Sequence, residues 1–84
     1  MDESVLTPTI REAAALRGRR QFAEAMHVIE DAMVDVPAGD DLRVNAWREA
    51  FLAAVEGGTR QQAEKYARLI AETDPDMPSI RPYL

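Results

Sequence analysis

The chain of 84 residues contains no cysteine and a single histidine, His27. The missing cysteine excludes disulfide bonds, thiolate chemistry and metal sites built on sulfur. One histidine also leaves too few imidazole ligands for most zinc sites. Small domains often gain stability from disulfides, metals or partner chains. By elimination we expect a partner, or a second copy of the chain, to be the extra stabiliser, and we expect no cofactor.

Positive charge and long apolar runs are scarce as well. The chain has ten basic and 15 acidic residues, which gives a net charge of −5. Nucleic-acid binding needs a basic footprint, so a nucleic-acid partner is not expected. No apolar run approaches the roughly 20 residues that cross a bilayer. The acidic start Met1-Asp2-Glu3 lacks the basic segment of a secretory signal. We therefore expect a cytoplasmic protein with no membrane partner.

The usual signatures of catalysis are also missing. The chain has no glycine-rich phosphate loop and no pair of histidines one helical turn apart. Acidic pairs such as Glu30-Asp31 fall on an expected solvent face, where nothing would shift their pKa values. The sequence therefore predicts that the protein is not an enzyme.

The most informative feature that is present is an internal repeat. The segment Ile10-Arg11-Glu12-Ala13 recurs as Trp47-Arg48-Glu49-Ala50, displaced by 37 positions. A second group recurs with a displacement of 38 positions, so that Ala25, Ile29, Ala32 and Pro37 match Ala63, Ala67, Ile70 and Pro75. A near-constant displacement in this range is typical of stacked helical hairpins, each too small to bury its apolar face alone.

The first hairpin is predicted over residues 7–37. Thr7 suits a helix N-cap and Pro8 suits the first turn, and Gly18 then breaks the helix. Apolar residues at steps of three and four predict a second helix with one continuous stripe: Phe22, Ala25, Met26, Ile29, Ala32, Met33 and Val36. Pro37 is expected to end it, because the residue before a proline is pushed out of the helical region.

The second hairpin is predicted over residues 41–75. Asp41 is expected to cap a helix at about 42–56, which a pair of glycines ends. The main face of this third helix is expected to carry Val44, Trp47, Phe51, Ala54 and Val55. Thr59-Arg60-Gln61-Gln62 then has the pattern of a capping box, and the fourth helix is expected to end at Thr73-Asp74-Pro75. No window alternates with period two, so the chain is predicted to be all-α.

The tail, residues 76–84, contains Pro78 and Pro82 and is predicted to be extended rather than a long helix. Its apolar end could fold back over the last hairpin or dock on a neighbouring subunit. Residues 1–84 are thus expected to form a single small domain of two stacked helix–turn–helix hairpins and a tail.

Small residues are expected where the helices cross, since the side chains at a crossing set the distance between helix axes. Ala13 and Ala25 are the candidates in the first hairpin, and Ala50 and Ala63 in the second.

This arrangement resembles the tetratricopeptide repeat, a helix–turn–helix unit of about 34 residues. The resemblance rests on a small residue, a large apolar residue four later and a closing proline, with an aromatic residue upstream. The first copy fills these slots with Phe22, Ala25, Ile29 and Pro37. The second copy has Ala63 and Pro75, with Ala67 in place of the large residue and Arg60 in place of the aromatic, and Trp47 fits the family's first-helix Trp. The family binds peptides or helices in a groove lined by its first helices. Some members hold a terminal carboxylate with Asn, Arg and Lys; Asn45 and Arg48 sit close to such positions, and the first helix offers only Arg11.

The sequence therefore favours a small protein-interaction module, an adaptor or chaperone-like protein that binds a peptide or helix of a larger partner. Two hairpins without a capping helix leave an open apolar end, and such a patch usually marks an interface. The alternative is a structural homo-oligomer whose open ends associate. The candidate partner-binding residues are Arg11, Asn45, Trp47, Arg48, Tyr83 and Leu84. Trp47 is the candidate anchor, because Trp and Tyr dominate interface hot spots.

Overall fold

The computed structural model describes residues 4–84 and contains helices without any strand in that range. The α-helices are α1 (Leu6–Gly18), α2 (Phe22–Met33), α3 (Arg43–Gly57) and α4 (Arg60–Ala71), and a 3₁₀ helix (Pro78–Tyr83) follows them. The all-α prediction is therefore confirmed. The acidic start Met1-Asp2-Glu3, on which the argument against a secretory signal rests, lies outside the described residues. Within 4–84, no helix combines the length and the hydrophobicity that a membrane crossing requires.

The helix starts repeat with the displacements found in the sequence. Leu6 and Arg43, which begin α1 and α3, are 37 positions apart, and Phe22 and Arg60, which begin α2 and α4, are 38 apart. Burial repeats as well, because Ala13 and its counterpart Ala50 are exposed by no more than 1 %. Ala13 and Ala50 are therefore buried alike in the two hairpins.

Helices α1 and α3 lie side by side and run in the same direction. Before their first turns, the Ser4 hydroxyl donates to the Asp40 carboxylate at 2.7 Å. At the other end of α1, Arg17 pairs with Glu49 at 3.3 Å and with Glu56 at 2.9 Å. Contacts at both ends hold the two helices parallel, since the start of one adjoins the start of the other.

Helix α3 is the central helix, because it packs against α1, α2 and α4. Its buried residues are Ala46, Ala50, Phe51, Ala53 and Ala54. Three neighbours bury much more than one stripe of a helix, and alanine on these sides lets each neighbour approach closely. The prediction of a single main face was wrong at Val55, which is 45 % exposed, and it left out Ala53, which is fully buried.

Alanine makes up nearly half of the buried core. Eight of the 17 buried apolar residues are alanines: Ala13, Ala25, Ala46, Ala50, Ala53, Ala54, Ala63 and Ala67. The four alanines expected at helix crossings are all among them. Larger side chains fill the remaining space, and those that are fully buried are Tyr66, Leu6, Ile29, Ile70 and Ile80.

The N-terminal caps differ from those predicted for α1 and α3. Helix α1 begins at Leu6, whose backbone N–H donates to the Ser4 hydroxyl at 3.1 Å, so Thr7 lies inside the helix. The carboxylate before α3 that accepts a backbone N–H, from Leu42 at 2.8 Å, belongs to Asp40 and not to Asp41. Ser4 and Asp40 also bond to each other, so the turns that precede α1 and α3 are joined by a contact between positions 36 apart in the chain. Local sequence does not reveal such a contact.

Helices α2 and α4 end earlier than predicted. Helix α2 ends at Met33, although Val36 still reaches the core from the following turn at 8 % exposure. Helix α4 ends at Ala71, and the N–H of Asp74 closes the next turn on the Ile70 carbonyl at 2.8 Å. The apolar pattern of α2 reflects which residues are buried. Burial continues at Val36, in the turn after the helical hydrogen bonds stop. The capping box of Thr59 and Gln62 is present as predicted.

The tail is a 3₁₀ helix, so the prediction of an extended tail was wrong. Pro78 begins it, and Pro82 lies inside it near its end, where a proline donates no backbone hydrogen bond. It folds back on α4, with Ile80 fully buried and Tyr83 against Phe51 at 5.3 Å between ring centroids. The last hairpin is therefore covered by the chain's own C-terminal segment.

Enlarging a crossing alanine should destabilise the protein. We expect Ala25→Leu and Ala63→Leu each to lower the free energy of unfolding by about 1–3 kcal/mol through overpacking. Ala15→Leu is the matched control, because Ala15 lies on α1 and is exposed. Thermal melts by circular dichroism measure the effect. Equal melting temperatures for all three variants and the wild type would show that these alanines do not set the helix spacing.

Truncating the buried tail residue should also destabilise the protein. Ile80→Ala removes a fully buried side chain and should cost about 2–4 kcal/mol. Leu84→Ala, in the same segment but with its side chain 60 % exposed, should stay within about 0.5 kcal/mol of wild type. Urea unfolding measures both, and equal small losses would mean that the tail does not form part of the core.

Candidate interaction surfaces

One face of the central helix α3 remains open to solvent. Asn45, Arg48, Leu52 and Val55 follow each other at steps of three and four, so they lie on one stripe of the helix. Leu52 is half-buried and the other three are exposed. This α3 stripe contains two of the residues predicted to bind a partner, Asn45 and Arg48. Its two aliphatic members were missed, because Val55 was assigned to the core.

Arg11 belongs to α1, the helix that runs parallel to α3. In the sequence it stands between Ser4 and Arg17, the two residues that tie the ends of α1 to α3. Its side chain is exposed, as is that of Arg48. Within residues 4–84 neither arginine has a carboxylate in ion-pair distance. The two cations therefore carry charge that this part of the chain does not neutralise.

Tyr83 borders the α3 stripe on its other side. It packs edge-on against Phe51, which lies three residues after Arg48 and four before Val55. Arg60 fixes this end of the tail, because its guanidinium lies 4.9 Å from the Tyr83 ring centre and donates to the Pro82 carbonyl at 2.8 Å. Leu84 follows with its side chain largely in solvent.

Trp47 does not share this face. It lies on the α4 side of α3, half-buried, with its ring stacked on Tyr66 at 5.8 Å between centroids and 28° between planes. The structure therefore gathers Asn45, Arg48 and Tyr83 around one stripe of α3, has Arg11 exposed on the neighbouring helix α1, and uses Trp47 in packing between helices.

A polar cluster missed by sequence reasoning joins α2 to α4. The buried Tyr66 donates its hydroxyl to Glu30 at 2.5 Å, and Lys65 donates to the same carboxylate at 2.9 Å. Glu30 was expected on a plain solvent face, and that expectation was wrong. No local pattern indicated this cluster, because Lys65 and Tyr66 lie 35 and 36 positions after Glu30 in the chain.

These contacts shift both acid–base groups. Partial burial by itself raises the pKa of Glu30, but the hydrogen bonds from Tyr66 and Lys65, with the Lys65 charge, outweigh it and lower the pKa below its ordinary value. Burial raises the pKa of Tyr66, and the hydrogen bond to the Glu30 carboxylate and its negative charge raise it further. Both shifts favour an ionised Glu30 bound by a neutral tyrosine, which is a structural pairing.

A second open surface is a shallow groove of about 540 Å³ on the first hairpin. Its lining residues, here called the outer groove, are Glu12, Leu16, Ala23, Glu24, His27 and Val28. All of them belong to α1 and α2, which both pack on α3 by other faces. The sequence left open whether the tail folds back over the last hairpin or docks on a neighbouring subunit. The tail folds back on α4, and the open surface lies at the first hairpin.

The described residues offer no metal site. Within 4–84, no group of three or more histidine and acidic side chains could hold a metal ion. His27 is exposed and lies 3.4 Å from Asp31, one helical turn away. Comparison with protein-family models, curated proteins and solved structures gave no match.

The Glu30–Tyr66 pair predicts opposite effects of pH at the two extremes. The folded pKa of Glu30 lies below its ordinary 4.5, so its contribution to stability is present above pH 4.5 and is lost as the pH falls through the folded value. Tyr66 has a raised pKa, so the unfolded chain releases that proton near pH 10 while the folded chain retains it. Stability should therefore also fall as the pH rises above 10.

Urea unfolding across the pH range tests this. The stability advantage of wild type over Glu30→Gln should shrink at acid pH, and its advantage over Tyr66→Phe should shrink above pH 10. If both differences stay constant with pH, the pair does not link α2 to α4 as the structure indicates.

Proposed function

We propose that this protein is a small, non-catalytic interaction module of the cytoplasm, an adaptor or chaperone-like protein that binds a peptide or helix of a larger partner. The observation that carries the proposal is the α3 stripe. A small domain has little apolar surface to spare, yet Leu52 and Val55 stay at least partly in solvent beside Arg48. A partner segment that covers this stripe would bury both aliphatic side chains.

Several features support a helical repeat similar to tetratricopeptide repeats as the scaffold. The first helices of the two hairpins, α1 and α3, lie in parallel, and both carry exposed residues, Arg11 and Arg48 among them. The family binds its ligands in a groove lined by its first helices. Contacts between hairpins join positions about one repeat apart, as for Ser4 with Asp40 and Glu30 with Tyr66, both 36 positions apart. Chains built this way use a continuous surface for binding.

The chemistry of the surface indicates what the partner segment offers. Leu52 and Val55 would take apolar side chains, and Asn45 can donate or accept a hydrogen bond. Arg11 and Arg48 would favour a carboxylate, because a cation without a nearby anion gains from charge complementarity across an interface. An extended or helical segment with apolar residues next to an acidic one fits this description.

Affinity capture from the source cells tests the proposal when wild type and variants are compared. Arg48→Glu and Val55→Arg should each weaken retention of the captured partner by about tenfold or more, as expected of hot-spot residues. Arg19→Glu is the matched control, because Arg19 is exposed at the turn after α1. It should leave retention unchanged while making the same change of charge as Arg48→Glu.

Equal retention by all variants would overturn the proposed surface. Sedimentation of the purified chain addresses the alternative, self-association. A dimer at micromolar concentration that Val55→Arg dissociates would mean that a second copy occupies the α3 stripe in place of a different protein.

A further inference from the structure

The two hairpins differ in what covers their outer sides. At the C-terminal end, the 3₁₀ helix covers α4 with the buried Ile80 and the half-buried Tyr83. At the N-terminal end, the outer groove is lined by α1 and α2 alone, with no other segment of residues 4–84 over it. One end is therefore closed by the chain itself, while the other presents a concave surface of side chains.

The outer groove combines an apolar floor with an acidic rim. Leu16 and Val28 are half-buried and Ala23 is exposed, so they offer aliphatic contacts. Glu12 and Glu24 stand at the rim from opposite helices. Neither glutamate has a cation in ion-pair distance within residues 4–84. An occupant must therefore supply apolar side chains and positive charge together.

The dimensions suit one face of a helix. Glu12 and Leu16 are one turn apart on α1, and Glu24 and Val28 are one turn apart on α2. An amphipathic helix sets anchors at the same spacing of three or four residues into such a groove. Two apolar anchors between flanking Lys or Arg residues would match both the floor and the rim.

Charge argues against a second copy of the chain as the occupant. An interface between two identical outer grooves would bring Glu12 and Glu24 of both copies together. Like charges in contact across an interface cost affinity, and they select against the wrong partner. The overall charge of −5 adds to the repulsion between copies.

We propose that the outer groove between α1 and α2 docks a basic amphipathic helix of another protein. This surface is separate from the α3 stripe and uses none of its residues. A module with both would join two segments of opposite charge character, one acidic at the α3 stripe and one basic at the outer groove. The second binding site would make the protein an adaptor in the literal sense.

A synthetic helix serves as the probe. The peptide is fluorescent, end-capped and about 18 residues long, which is long enough to form a helix. It carries leucines on one stripe of that helix and lysines elsewhere. A peptide with the same composition but no stripe is its control. Fluorescence anisotropy on the full chain should give an affinity about tenfold higher for the amphipathic peptide, and this affinity should fall as salt is added.

Charge-reversal variants locate the site. Glu12→Lys and Glu24→Lys, made one at a time, should each weaken binding of the amphipathic peptide by about fivefold or more. The matched control Glu72→Lys, at the exposed end of α4, should change it by less than about twofold. A further variant, Val28→Ser, keeps every charge and should still weaken binding. Circular dichroism melts establish that each variant is folded, and amide shifts in NMR spectra should be confined to α1 and α2.

Three results would overturn the proposal. The control peptide may bind as tightly as the amphipathic one, or Glu72→Lys may weaken binding as much as the groove variants, and either result would reveal unspecific attraction to an acidic protein. The third is a dimer of the wild-type chain that Val28→Ser dissociates, which would make a second copy the occupant. Each readout is independent of whether a partner covers the α3 stripe.

Discussion

The close approach of three helices to α3 is the constraint on which the rest of the structure depends. Alanine at Ala46, Ala50, Ala53 and Ala54 lets α1, α2 and α4 surround one helix without large side chains between them. Burying one alanine methyl group stabilises a small domain only slightly. Its stability must therefore come from the number of helices that contact α3 and from close packing between them. The bulky residues Leu6, Tyr66 and Ile80 then close the periphery of this core.

Polar contacts fix the relation between the hairpins that alanine packing alone would leave free. Helices that pack through alanines alone could shift along each other. The contacts of Ser4 with Asp40, Arg17 with Glu49 and Glu30 with Tyr66 each fix one position of the first hairpin relative to the second. Exposed ion pairs contribute little to stability. Their value here is in defining the alignment of α1 with α3 and of α2 with α4. That alignment sets what lies beside the α3 stripe, whereas the outer groove is formed inside the first hairpin by α1 and α2.

Local patterns in the sequence were enough to predict the helices, their repeat and the small residues between them. The capping box at Thr59 could be predicted because all its atoms lie within four residues. The predictions that were wrong concern residues whose contact partners lie far away in the sequence. Asp40 replaces Asp41 because Ser4 is near, Glu30 is engaged because Tyr66 is near, and the tail becomes a 3₁₀ helix because α4 offers a site for Ile80. The candidate binding residues Arg11, Asn45 and Arg48 were predicted from the resemblance to tetratricopeptide repeats, whereas Leu52 and Val55 required knowledge of which side of α3 has no neighbour.

The central position of α3 can be tested most directly by native-state hydrogen exchange. Amides that open only with global unfolding mark the part of a protein held by the most contacts. The account predicts that the slowest amides lie in α3, from Ala46 to Ala54, and exchange with the free energy of complete unfolding measured in urea. If α3 exchanges through a smaller local opening while α1 or α4 remains protected, the alanine-lined helix is not the centre of the fold.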